Sequence, residues 1–154
     1  MLILPLLFAL QTVPPGEEAV APYVQADANA GARPARGDGL WRAFHGQAGV
    51  DRIVDDLVAR NQADPRITDI FKGQDMVRLR RTLKEQFCYL LGGGCSYSGR
   101  NMKDAHRNMG VQQADMAALV ENLQAAMRKE GVSFPAQNRL LAKLAPMKRD
   151  VVER

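Results

Sequence analysis

The sequence predicts an all-α fold, and two observations support that prediction. No stretch alternates between apolar and polar residues with a period of two, and β-branched residues are sparse. From about residue 40 to residue 152, apolar residues recur at spacings of three and four, which is typical of helices with one buried face. Residues 1–38 lack this periodicity. We therefore predict one helical domain over residues 39–154, which is long enough to bury one core.

Three helices are predicted before residue 74. A short one covers residues 40–44, and a longer one runs from about residue 47 to residue 63. The apolar residues of the longer helix share one face, and they are Ile53, Val54, Leu57 and Val58. Asp64-Pro65 then combines a residue suited to the N-cap with proline at the first helical position. This pair predicts a third, short helix from Asp64 to Phe71, which Gly73 stops.

The second half of the domain contains four further helical segments. Asp75 is a suitable N-cap for a helix with one apolar stripe, made of Met76, Leu79, Leu83, Phe87 and Leu90. That helix ends at the glycines of positions 92–94, and a short segment carrying His106 follows and ends at Gly110. A long amphipathic helix then follows, marked by apolar residues from Met116 to Met127 and ending near Gly131. The last helix starts after Ser133, and Pro146 should kink it near its end.

The net charge of the chain is +4, and the basic residues are spread over several helices. No basic stripe is interleaved with aromatic residues, so nucleic acid is not an expected partner. Solvated helix faces account for these charges.

The N-terminal region combines an apolar segment with a segment of biased composition. The run from Leu2 to Leu10 has the length of a signal-peptide core and is too short to span a bilayer comfortably. The following residues are rich in Pro, Ala and Gly and indicate a linker, with small-residue cleavage sites ending at Ala28 or Ala30. The first basic residue is Arg33, so the positive start of a signal peptide is missing.

Export to the periplasm, or tethering to a membrane through an uncleaved apolar segment, is the leading expectation for this N-terminus. A mis-assigned start codon or a cytoplasmic tail is the alternative. Membrane contact is expected only through this segment.

Cys88 and Cys95 are the only cysteines, and they flank the glycine-rich turn. In an oxidising compartment they could form a disulfide that contributes roughly 2–3 kcal/mol. In a reducing cytosol, Cys88 would be a buried thiol and Cys95 a loop thiol.

His106 is the most informative residue, because the chain has only two histidines. A lone histidine is by default a core or surface residue, and His45 fits a helix cap or a solvent-exposed position. An imidazole on a short helix, opposite the apolar face of a longer one, is what axial ligation of haem iron requires.

The order and spacing of several short segments resemble the group 1 truncated haemoglobins, shortened globins with a two-over-two helical sandwich. The resemblance covers residues 41–152. Its segments are Val54-Asp-Asp56, Ala63-Asp-Pro-Arg-Ile67, Phe71 before Gly73, Asp75-Met76, Arg78-Leu79, Gly92-Gly93, Tyr97-Ser-Gly99, Met102 to His106, Gly110-Val111 and Leu144-Ala-Pro146. The cysteines around Gly-Gly further resemble a proteobacterial branch of that group.

The resemblance implies a haem b site with His106 as the proximal iron ligand. The other haem contacts that it implies are Phe71, Arg78, Leu79, Arg80, Leu83, Phe87, Tyr97, Met102, Leu119, Leu123 and Leu144. Four of these would lie at the haem rim and propionates, namely Met102, Tyr97, Arg78 and Arg80. The alternative for Tyr97 is that it simply closes its turn. It also implies a distal pocket formed by Leu57, Val58, Leu79, Leu83 and Gln86.

The distal side departs from the family pattern. Many relatives have Phe-Tyr where this chain has Leu57-Val58, and a common distal glutamine is replaced by Leu83. A hydrogen bond to a charged group contributes about 1.5–3 kcal/mol, so the loss of these donors predicts faster oxygen dissociation. Gln86 is the best remaining donor.

The function implied by the resemblance is reversible binding of a diatomic gas, namely O2, CO or NO. The alternatives are a haem enzyme that carries out nitric oxide dioxygenation or peroxidase-like chemistry, a gas or redox sensor, and a haem-free module that binds another protein. Any redox role would need a reductase, whose identity the sequence does not indicate.

Overall fold

The structure is a computed structural model that describes residues 12–153, and these residues contain α-helices and no β-strand. The eight helices of this part are α1 (Gly39–Ala43), α2 (Gly46–Ala63), α3 (Thr68–Phe71), α4 (Met76–Leu90), α5 (Met102–Ala105), α6 (Gln113–Lys129), α7 (Phe134–Leu144) and α8 (Lys148–Val151). Two 3-10 turns, Asp27–Ala30 and Ala145–Met147, accompany them. The prediction of an all-α fold is confirmed.

The long helix α2 is the centre of the packing and contacts both α4 and α6. Its apolar face supplies much of the core, as the sequence pattern predicted. The largest fully buried side chains are Phe44, Leu40, Ile53, Leu57, Ile67, Leu90, Leu91, Leu123, Met127, Leu140, Val50 and Val54. Burying one such side chain stabilises the fold by about 1.5–3 kcal/mol.

The helix that carries the apolar stripe, α4, begins as predicted. The Asp75 carboxylate accepts a hydrogen bond from the Arg78 backbone N–H at 2.9 Å, which satisfies one of the free donors at the helix start. The helix ends where Gly92 adopts φ +84°, a conformation that favours glycine. A side chain at Gly92 would also meet the Gly37 carbonyl at 2.5 Å.

The prediction that a helix starts at Asp64-Pro65 is wrong. Residues 65–67 form turns, and α3 covers only Thr68–Phe71. The Asp64 carboxylate accepts hydrogen bonds from the backbone N–H and the guanidinium of Arg66 instead of capping a helix. These bonds hold the pKa of Asp64 well below its ordinary value.

The last helix is interrupted at Pro146, where the sequence predicted a kink. Helix α7 stops at Leu144, the 3-10 turn Ala145–Met147 follows, and α8 continues to Val151. Proline has no N–H to donate, so a regular helix cannot pass through this position without losing a hydrogen bond.

Residues 12–38, for which the composition indicated a linker, pack against the helices and are here called the N-terminal strap. The Ala35 N–H donates to the Leu90 carbonyl at 2.9 Å, and Ala30 is fully buried. Gly31 lies so close to Met147 that an added Cβ would meet its sulfur at 2.8 Å. The small residues that indicated a linker are therefore what permits this close packing.

The apolar run of residues 2–10 lies outside the described residues. Among residues 12–153, no helix is both long and apolar enough to cross a membrane.

The glycine-rich turn after α4 is closed by a disulfide. Cys88 and Cys95 are bonded in the structure, with their Cα atoms 5.7 Å apart. Cys88 is fully buried at the end of α4, so the bond ties the turn to the core.

Helices α2 and α6 are joined at one end by a half-buried carboxylate. Glu130 accepts hydrogen bonds from Arg52 at 2.6 and 2.9 Å, and its Oε1 lies 3.0 Å from His45 Nδ1. The hydrogen bond with Arg52 is the main cause that lowers the pKa of Glu130 to about 2. Partial burial opposes this shift, and the hydrogen bond with His45 adds to it.

The variant Glu130→Gln should therefore reduce the free energy of unfolding at pH 7. Because the folded-state pKa of Glu130 is depressed, its stabilisation is present above its ordinary pKa and is lost as the pH falls towards 2. Chemical denaturation of both proteins at pH 7, 5, 4 and 3 should show nearly the same difference at pH 7 and 5, and a smaller one at pH 4 and again at pH 3. A pH-independent difference would contradict the assignment.

Candidate functional site

His106 is held by a backbone carbonyl. It lies directly after α5, and its Nδ1 is 2.7 Å from the Met102 carbonyl oxygen. Because a carbonyl only accepts, Nδ1 must carry the proton, and the lone pair of the neutral ring is then on Nε2. The ring is half-buried, and burial lowers the pKa of His106 because it disfavours the charged imidazolium. The neutral form is therefore favoured. Among residues 12–153, no protein group forms a hydrogen bond with Nε2.

Local sequence explains why the chain forms a single turn here. The Asn101 side chain caps α5 by accepting from the Asp104 backbone N–H at 2.8 Å. The Met102 carbonyl also accepts the His106 backbone N–H at 3.2 Å, so one oxygen holds both the backbone and the ring of the histidine. Beyond the end of α5, Asn108 and Gly110 adopt positive φ, so the chain does not continue as a helix.

Several of the predicted haem contacts are half-buried apolar side chains. They come from α3, α4, α6 and α7, and they are Phe71, Leu79, Leu83, Leu119 and Leu144. Leu79, Leu83 and Leu144 pack against the edge of the main core. Apolar surface left half-exposed on four helices is suited to contact with a large apolar ligand.

Other predicted pocket residues are buried in the core. Leu57, Val58, Phe87 and Leu123 are each at most 2% exposed. They belong to the core cluster against which Leu79, Leu83 and Leu144 pack.

Tyr97 closes its own turn, an alternative that the sequence left open. Its hydroxyl donates to the Arg100 carbonyl at 3.0 Å, and its ring is 5% exposed. Burial raises the pKa of the Tyr97 phenol to about 12. Tyr97 therefore remains protonated at physiological pH and acts as a hydrogen-bond donor.

The two arginines predicted to contact haem propionates already have partners in the chain. Arg78 forms ion pairs with Glu17 at 3.6 Å and with Asp75 at 3.7 Å, and its side chain is 14% exposed. Arg80 forms an ion pair with Asp55 at 3.7 Å. A propionate contact stays a prediction for both.

Gln86 is engaged by the strap. Its Nε2 donates to the Ala30 carbonyl at 2.9 Å and lies 3.5 Å from the Met102 sulfur and 3.7 Å from the Met147 sulfur. The sequence identified Gln86 as the best remaining distal donor, but in this structure the amide N–H is directed at the strap.

Two pockets on the described part of the surface bear on the site. One of about 270 Å³ adjoins His106 and is lined by the charged residues Lys103, Arg107, Arg149, Asp150 and Glu153, together with Val152. The larger one, of about 440 Å³, lies between α2 and α4 and does not include His106. Its cations are paired with carboxylates of the chain, including Asp55, Glu17 and Glu85.

Comparison with known proteins identifies the family. A family model described as "Bacterial-like globin" matches residues 39–153. A group 1 truncated haemoglobin from Synechocystis is 32% identical over 119 residues, which cover 73% of this chain and 96% of that protein. One from Tetrahymena pyriformis is 31% identical, covering 73% of this chain and 93% of that protein. The chain belongs to the bacterial-like globins, and within them to the group 1 truncated haemoglobins.

Solved structures agree with this assignment. The crystal structure of the Tetrahymena pyriformis truncated haemoglobin in its Fe(III) form superimposes with a TM-score of 0.71 at 26% identity, covering 75% of this chain and 98% of that one. The 2/2 haemoglobin from Synechococcus, which has covalently attached haem, gives a TM-score of 0.69 at 26% identity and the same coverage. The predictions of the family and of the two-over-two fold are confirmed, whereas the proteobacterial branch stays a prediction.

Sequence reasoning missed two features of this truncated globin. It placed Met102 at the haem rim but did not identify its carbonyl as the partner of His106, although the four-residue spacing within one helical turn is a signal for that contact. It also missed the packing of the N-terminal strap, which lies outside the region matched by the family model.

Proposed function

We propose that this truncated globin binds haem b through Nε2 of His106 and reversibly binds a diatomic gas, namely O2, CO or NO, at the iron. The proposal rests on the hydrogen bonding of the His106 ring. Its ring has one nitrogen committed to the Met102 carbonyl and the other free of protein partners among the described residues. Globin ligation by a proximal histidine needs this arrangement.

The half-exposed apolar side chains support the same conclusion. Porphyrin is a flat and largely apolar ligand, so burying it would cover the surfaces of Phe71, Leu79, Leu83, Leu119 and Leu144. Haem supplies an iron centre whose open position takes the gas. The chain's own contribution is to orient His106 and to exclude water with these side chains.

The distal side that we propose offers no strong hydrogen-bond donor. Leu79 and Leu83 are aliphatic, and Val58 occupies a fully buried position behind them. The Thr82 hydroxyl between them in sequence donates to the Arg78 carbonyl at 2.9 Å, within its own helix. With the Gln86 amide bonded to Ala30, the expected distal environment is apolar.

The iron ligand is tested by absorption spectra of the purified protein in its oxidised, reduced and carbonmonoxy forms, beside His106→Ala. The wild type should show a Soret band and haem optical changes on binding CO. His106→Ala should lose haem or change its axial coordination, because no other imidazole is attached to α5. His45→Ala is the matched control, since His45 is exposed and bonded to Glu130. Unaltered coordination in His106→Ala would overturn the proposal.

The apolar distal side is tested by Val58→Tyr, with Val58→Phe as the control for added bulk. A phenol donor at this position should slow oxygen dissociation by roughly ten- to a hundredfold, because a hydrogen bond to a charged group contributes about 1.5–3 kcal/mol. Val58→Phe should not produce this slowing. Stopped-flow measurement of the oxygen dissociation rates of wild type and both variants tests this prediction. Equal rates in wild type and Val58→Tyr would mean that another donor already serves the pocket.

We also propose that the protein is exported and stays tethered by its uncleaved N-terminus. The Cys88–Cys95 disulfide supports an oxidising compartment. Cleavage after Ala28 or Ala30 would remove the part of the strap that contains Glu17 and Tyr23, both of which bond to the domain. The intact mass of protein isolated from its native host should therefore include these residues. A mature chain beginning at residue 29 or 31 would contradict the tether.

A further inference from the structure

The N-terminal strap contacts both sides of the site. On α4, the Glu17 carboxylate is 1% exposed and pairs with Arg81 and Arg78. On the loop that leads into α5, the Tyr23 hydroxyl donates to the Ser98 carbonyl at 2.6 Å, and Asp27 accepts the Tyr97 backbone N–H at 2.9 Å. One segment thereby fixes the loop before His106 relative to the opposite helix.

Gln86 continues this connection through the interior. Its side chain is on α4 and is 5% exposed, and its amide nitrogen bonds to the strap carbonyl of Ala30 at 2.9 Å. The same nitrogen lies 3.5 Å from the sulfur of Met102, whose carbonyl holds the His106 ring at 2.7 Å. Strap, α4 and the histidine segment therefore meet at one buried amide.

The length of α5 makes such anchors necessary. It has only four residues, Met102–Ala105, and a helix of one turn is not stable on its own. Its position is set by the groups that hold it, which are the Asn101 cap, the contacts with α8 and the buried Met102 side chain. Gln86 contacts the last of these directly.

We propose that the strap and Gln86 form a positioning device for His106, in which Gln86 fixes Met102 and thereby the carbonyl that orients the imidazole. Gln86 is in this account a positioning residue for the iron ligand and not a distal donor to the bound gas. The inference rests on the proposed ligation of iron by His106. The hydrogen bond on Nδ1 controls how strongly the imidazole donates to the metal, so a displaced Met102 carbonyl weakens the iron–imidazole bond.

The test uses the full chain with Gln86→Leu, which keeps the approximate volume and removes the amide. Resonance Raman spectra of the ferrous protein should show the iron–histidine stretching band at lower frequency than in wild type. The iron–carbonyl stretch of the CO complex should stay unchanged, because it reports the distal side. Haem transfer to an acceptor protein should be about tenfold faster.

Gln137→Leu is the matched control. Gln137 is also a buried glutamine at 5% exposure, and it donates to the backbone carbonyl of Val132 at 2.9 Å. Its replacement should leave the iron–histidine band in place. A Gln86→Leu protein with an unchanged iron–histidine band, or with a shifted iron–carbonyl band and faster oxygen dissociation, would overturn the proposal in favour of a structural or a distal role.

Asp27→Ala provides a second variant that does not disturb the core, since Asp27 is exposed. It removes the strap's hydrogen bond to the Tyr97 N–H and should shift the iron–histidine band in the same direction by a smaller amount. If Gln86→Leu does not retain haem, this variant decides, and an unshifted band contradicts the proposal. Absence of an iron–histidine band from the wild type itself would instead overturn the ligation by His106.

Discussion

The hydrogen bond between His106 Nδ1 and the Met102 carbonyl is the contact on which the site depends. It determines the tautomer, since the carbonyl can only accept, and so leaves the lone pair of the ring on Nε2. It also determines the ring's orientation, because the same oxygen accepts the backbone N–H of His106. Burial favours the neutral ring, which is the form that binds a metal.

The rest of the fold fixes the position of the Met102 carbonyl. Helix α5 is too short to define its own position, so Met102 must be located by neighbours that are themselves fixed. The core between α2, α4 and α6 supplies the rigid frame, and the strap ties α4 to the loop before α5. Packing contacts and a few buried hydrogen bonds thus connect the N-terminal strap to the proposed iron ligand.

The sequence predicted the helices well where apolar periodicity and capping agree. The α4 stripe from Met76 to Leu90 with Asp75 before it is one example, and the interruption at Pro146 is another. It failed at Asp64-Pro65, because the carboxylate that suits an N-cap found a nearer partner in Arg66. Competition between local hydrogen bonds is not visible in a residue pattern.

The candidate site could be predicted from the sequence only in part. The selection of His106 as the candidate iron ligand rests on the scarcity of imidazoles and on the family resemblance. The apolar residues proposed around it follow from the helical stripes. The packing of the strap did not follow, because alanine and glycine predict flexible chain as readily as close packing. The partner of Gln86 also depended on tertiary structure, since Ala30 lies 56 residues away.

The most direct test of the central claim is a proton NMR spectrum of the ferrous, ligand-free haem complex, prepared with 15N-labelled histidine. A neutral imidazole bound through Nε2 should give one strongly shifted, slowly exchanging ring N–H resonance, which belongs to His106 and is retained in His45→Ala. A spectrum without such a resonance, or one whose resonance belongs to another residue, would contradict the account.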